Sequence, residues 1–167
     1  MTRDAQEYVN KIINKEKQYT LNLSKQELAG EIDLRGFTNL TSIKADGNEF
    51  TSLDWLFTLP EEGQKKLKWL NLWGNKIENV DFAKLFNNFP NLELANLENN
   101  PLNLSILGDL GNQYFFQLVE KVETNKFKIN SWKGTPLLDL LKHIKKIREE
   151  NIKLKQQLEA QIEIPLK

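Results

Sequence analysis

Apolar and polar positions alternate along the chain in a short pattern that returns four times. The segments QYTLNLSKQEL (18–28), LTSIKADGNEF (40–50), LKWLNLWGNKI (67–77) and LELANLENNPL (92–102) share the frame LxxLxLxxNxL. Its fourth position holds Leu21, Ile43, Leu70 and Ala95, its sixth Leu23, Ala45, Leu72 and Leu97, and its last Leu28, Phe50, Ile77 and Leu102. The xLxL alternation predicts a short strand with one buried face in each copy. The polar position near the end reads Gln26, Asn48, Asn75 and Asn100. A side-chain amide there satisfies backbone groups of the turn and carries no chemistry of its own.

Between the copies the periodicity changes from two to helical. Leu53, Leu56 and Leu59, then Val80, Phe82, Leu85, Phe86 and Phe89, predict short helices or helical turns behind the strands. The segment AGEIDLRGFTN is too short for much helix, and its Ile32 and Leu34 alternate like a strand. Each repeated unit leaves its ends apolar, so both ends of a stack need covering. Residues 1–17 supply one helical cap, in which Asp4 and Glu7 fit a capping box and Tyr8, Val9, Ile12 and Ile13 form one stripe. Residues 111–134 supply the other.

The four aligned copies resemble the leucine-rich repeat family over residues 18–110. The copies begin at residues 18, 40, 67 and 92, with spacings of 22, 27 and 25 that fall within the family's usual range. The resemblance implies an α/β fold, a right-handed solenoid with a parallel concave sheet, an N-terminal helical cap and a long C-terminal helix.

In such strands the residues between the buried ones point outward, which sets positions three, five and seven of the frame in columns across the sheet. The third column reads Thr20, Ser42, Trp69, Leu94; the fifth Asn22, Lys44, Asn71, Asn96; the seventh Ser24, Asp46, Trp73, Glu98. Small and polar residues dominate until two indoles arrive in the third copy with Leu94 beside them. Tryptophan is enriched among the residues that carry most of an interface's binding energy. Trp69, Trp73, Leu94, Asn71, Lys44, Asp46, Asn96 and Glu98 are therefore the candidate partner-binding set. The competing reading puts the two rings under the C-terminal cap or helix, as core. Trp55 and Trp132 fall outside the columns and are assigned to packing.

Residues 135–164 predict one amphipathic helix, opened by Thr135 as N-cap and Pro136 at the first helical position and free of Gly and Pro until Pro165. Such a helix is about 40 Å long, against about 20 Å for a sheet of four strands, so the repeats cannot cover all of it. Its apolar positions fit a heptad, with Leu137, Ile144, Asn151 and Leu158 at a, and Leu140, Ile147, Leu154 and Gln161 at d. An Asn at one a position favours a two-stranded parallel coiled coil, and Glu150 would attract Lys155 of a second copy. The dimerisation candidates are Leu140, Ile144, Ile147, Asn151, Leu154 and Leu158, with a helix folded back as a cap as the alternative. Lys142, Lys145, Lys146 and Arg148 fit a basic membrane-surface or calmodulin-target helix less well, because Glu149 and Glu150 interrupt them.

Composition narrows the function classes. Lys plus Arg and Asp plus Glu each number 23, so no uniform field draws the chain to nucleic acid. No apolar run is long enough to span a membrane and no signal-peptide core is evident, which together with the absence of cysteine points to a cytoplasmic protein. Three N-x-[ST] matches, at Asn22, Asn39 and Asn103, are by-products of an asparagine-rich repeat. His143 is the only histidine and has no partner for a metal site. KGT at 133–135 lacks the rest of a phosphate loop, and DGNE at 46–49 lacks most calcium ligands. No carboxylate pair stands out by spacing, so neither catalysis, cofactor nor metal is expected. The expected function is protein recognition on the concave face, with the tail pairing two copies. An assembly protein whose coiled coil is the working part is the alternative, and the family resemblance adds a host-directed effector as another.

Overall fold

The computed structural model describes residues 2–129 and 137–162 of the chain. It opens with a two-residue strand, β1 (Arg3–Asp4), that leads into helix α1 (Ala5–Asn10). The Asp4 carboxylate accepts the Glu7 N–H at 2.7 Å, and Ala5 and Val9 are buried with Tyr8 and Ile12 packed at their edge. The predicted stripe ends early. Ile13 is 77% exposed, because the helix stops at Asn10 and Asn14 takes a left-handed conformation, φ 51°, that turns the chain away.

The repeated frame then delivers its strands: β2 (Thr20–Asn22), a two-residue β3 (Leu28–Ala29) that pairs with β1, and β4 (Ser42–Lys44). A 3-10 turn (Asp54–Thr58) and helix α2 (Glu61–Lys66) return the chain to β5 (Trp69–Asn71). Helix α3 (Phe82–Asn88), capped by Asp81 on the Lys84 N–H at 2.8 Å, returns it to β6 (Leu94–Asn96). Further on come a 3-10 turn (Leu104–Leu107), helix α4 (Asn112–Glu123) and β7 (Phe127–Lys128). The last element is the long helix α5 (Leu137–Ile162). The fold is thus mixed α/β, with a parallel sheet and a long C-terminal helix.

The sheet has five parallel strands in the order β2-β4-β5-β6-β7, in unbroken register. Leu21, Ile43, Leu70, Ala95 and Phe127 form one buried row across it. The fifth strand was not expected. Phe127 continues the row 32 residues after Ala95, a longer interval than any between the four copies, because α4 lies between. Phe115, Leu118 and Val119 of α4 are buried and close that end of the core.

Asn48, Asn75 and Asn100 tie each unit to the one before it. Asn75 donates to the Ala45 and Leu72 carbonyls at 2.9 and 3.0 Å and accepts the Phe50 N–H at 3.1 Å. Asn48 and Asn100 repeat the arrangement one unit on either side. The residue before each, Gly47, Gly74 or Asn99, has φ between 57° and 66°, which glycine and asparagine adopt most readily. Behind the sheet, Phe50, Trp55, Leu56, Leu85, Phe86 and Phe89 fill the core. Ile32 and Leu34 are buried there too, without forming the expected strand; the Leu34 N–H is taken by the Thr58 hydroxyl at 2.9 Å. Trp55 packs against Phe50 at 5.2 Å between ring centroids, as its assignment to packing requires.

Helix α5 departs from the predicted seam. Leu137 and Leu141 are buried, and Ile144, Arg148 and Ile152 are half-buried along one stripe against α4. Leu137 and Ile144, both assigned to the coiled-coil seam, are therefore occupied within the chain. Arg148 holds the dock: its guanidinium donates to the Leu110 carbonyl at 2.6 Å and the Leu107 carbonyl at 2.9 Å, and lies 4.2 Å above the Phe115 ring. The Leu107 carbonyl closes the 3-10 turn, where a helical end leaves acceptors unmet along the chain, and the Leu110 carbonyl lies just ahead of α4. Thr135, Pro136 and Trp132 lie outside the described residues. Among the described residues, no helix is long and apolar enough to cross a membrane.

Candidate functional site

The outer face of the sheet brings the candidate residues together. Trp69 of β5 and Leu94 of β6 are register partners, each 46% exposed, and Trp73 follows β5 at 40% exposed. Among the described residues, neither α4 nor α5 buries them. In the equivalent positions β2 carries Thr20 and β4 carries Ser42. The same strand geometry is thus built with a hydroxyl side chain, so the fold does not require the indoles.

Asn71 and Asn96 have a local task. The amide oxygen of Asn71 accepts the Trp73 N–H at 3.2 Å and that of Asn96 accepts the Glu98 N–H at 3.0 Å; Asn22 does the same for Ser24 at 3.1 Å. Each forms a side-chain turn that bends the chain as it leaves its strand. Asp46 is also engaged, accepting from the Ser24 hydroxyl at 2.6 Å and from the Asn71 amide at 3.1 Å. The Asn71 amide is thereby held on both sides. Lys44 replaces Asn in this column, so its own strand lacks the turn, and its ammonium group is exposed to solvent. Glu98 is half-buried in the outer column beside Trp73.

A shallow groove of about 260 Å³ runs over the middle of the sheet. Lys44, Trp69, Asn71, Leu94 and Asn96 line it, whereas Asp46, Trp73 and Glu98 sit one step further along the strands, outside it. Its far wall consists of residues that sequence reasoning missed: Asn125, Lys126 and Lys128, brought in by β7. The alternation in KFKI was the available signal, but it lacks the rest of the frame. Just behind this wall, Lys121 has its ammonium pKa lowered, first by burial and then by the charge of Lys126. Its Nζ donates to the Leu92 carbonyl at 2.9 Å and stands 5.1 Å from the centre of the Phe127 ring.

A second apolar surface lies on α5. Ile147, Leu154 and Leu158 are 44%, 62% and 59% exposed, with Asn151 exposed among them and Leu140 half-buried at the start of the stripe. At about 100° per residue this stripe lies about a quarter-turn from the docked one. His143 is exposed, and among the described residues no group of three or more His, Cys, Asp and Glu could hold a metal ion. The DGNE segment forms a turn in which Glu49 pairs with Lys76. Compared with known proteins, the chain matches no family model and no curated protein.

Proposed function

We propose that this chain is a non-enzymatic recognition module of leucine-rich-repeat type that binds a protein or peptide across the exposed, concave face of its sheet. The observation that carries this reading is the exposed set of Trp69, Trp73 and Leu94, where the first two copies carry Thr20 and Ser42 in the column of Trp69 and Leu94, and Ser24 and Asp46 in that of Trp73. Full burial of one such side chain is worth about 1.5–3 kcal/mol. Leaving three of them half in water forgoes that stabilisation in the free protein and makes it available to a partner. The repeated frame, the ladder of Asn48, Asn75 and Asn100, and the common register of the strands support the family assignment. Affinity capture with the intact chain beside a Trp69→Ala, Trp73→Ala variant of unchanged melting temperature tests the reading. Partners retained by the intact chain should be lost from the variant; identical captures would remove this face from consideration.

A second reading, self-association through α5, draws on a separate observation. Ile147, Asn151, Leu154 and Leu158 remain available on the helix after it has docked. They amount to about two heptads rather than the four expected, fewer than a self-sufficient coiled coil normally uses. Pairing of two copies would then add avidity to the sheet face.

A further inference from the structure

The charge of the groove says more than its aromatic content does. Lys44 stands on one wall and Lys126 and Lys128 on the other, and no Asp or Glu lines the groove between them. All three lysines are exposed, and among the described residues none of them forms a salt bridge. Three carboxylates on or beside this face are disposed elsewhere: Glu93 pairs with Lys68 at 3.4 Å, Asp46 is held by Ser24 and Asn71, and Glu98 does not line the groove. A chain with no net charge has thus gathered unbalanced positive charge on both sides of an apolar floor.

We propose that the groove takes an extended acidic segment of a partner protein, an apolar residue resting on Trp69 and Leu94, with one carboxylate meeting Lys44 and another meeting Lys126 and Lys128. This rests on the reading of the sheet face as a recognition surface and specifies its ligand. From β4 to β7 is three strand steps, about 14 Å. An extended peptide rises about 3.4 Å per residue, so acidic residues about four apart, with the apolar residue between them, match the span. Asp46 and Glu98 disfavour a shift of the acidic residues toward Trp73, which sets the peptide's position on the strands.

Selection of a random peptide library on the intact chain tests this, with peptides that also bind the Trp69→Ala, Trp73→Ala variant discarded. The retained peptides should be enriched in Asp and Glu flanking an apolar residue. In fluorescence anisotropy their binding should weaken about tenfold in a Lys44→Gln, Lys128→Gln variant, recover in the Lys→Arg pair, and fall as salt is raised. Both lysines are exposed, so these variants should melt as the parent does. Tryptophan-dependent peptides with no acidic preference, or indifferent to the lysine variants, would overturn the acidic ligand and leave the recognition face standing. A library yielding no tryptophan-dependent peptide would overturn both. Tighter, lysine-dependent binding of a phosphatidylserine vesicle or a single-stranded oligonucleotide would replace the peptide with that anion.

Discussion

Asn71 and Asn75 stand four residues apart on either side of buried Leu72 and serve different ends. Asn75 is 5% exposed and joins its own unit to the one before it through three bonds to backbone groups, so removing its amide strands buried polar groups. Asn75→Ala should cost about 3 kcal/mol in urea unfolding. Asn71→Ala should cost about 1 kcal/mol, since the Trp73 N–H it leaves is near solvent. Acid stability has a local source at Asp33, whose carboxyl is held down to about 2, from an ordinary value of 3.8, chiefly by hydrogen bonding from the Arg35 side chain. A lowered carboxyl pKa stabilises the fold fully above 3.8, and that contribution fades as pH falls toward about 2. Asp33→Asn should therefore flatten the stability profile over that window and lower neutral stability by the same amount, a small one because the pair is open to water.

At the scale of elements, helix α5 is divided between two tasks by its own geometry. Its first half is fastened to α4 by Leu137, Leu141 and Arg148, whose guanidinium fork reaches two backbone carbonyls and an aromatic face at once. Lysine cannot reproduce that fork. Arg148→Met and Arg148→Lys should both lower stability by about 1–2 kcal/mol and raise amide exchange in the first half of α5, with exchange in the sheet unchanged. Rescue by lysine would mean that charge alone holds the helix. The unexpected strand β7 is the other lesson here. It matters because it adds Lys126 and Lys128 to a face that otherwise carries one lysine in its groove.

For the whole molecule, the question is how many copies act together. The free stripe of Ile147, Asn151, Leu154 and Leu158 favours a pair, and its shortness favours a weak one. Sedimentation at tens of micromolar should show dimer, in roughly the concentration range where short coiled coils associate. Leu154→Lys with Leu158→Lys should return the chain to monomer without lowering its melting temperature, since both leucines are exposed. A monomer at that concentration would leave the sheet face as the sole interaction surface under consideration. The proposed recognition function does not depend on the outcome.

What could be read from the sequence was whatever repeats or alternates locally. The buried row from Leu21 to Ala95, the asparagine ladder, the outward columns and the apolar stripe of the tail all follow from spacing, because strand and helix geometry convert spacing into faces. Whether a face meets water or another element depends on residues distant in the chain, and spacing carries no record of them. Tertiary structure alone decided that Trp69 and Trp73 stay uncovered, that Asn71 and Asp46 are engaged in holding the turns, and that Leu137 and Ile144 are buried or packed within the chain. Tertiary structure also set Phe127 at the end of the row, since α4 lengthened the interval beyond any the pattern contained.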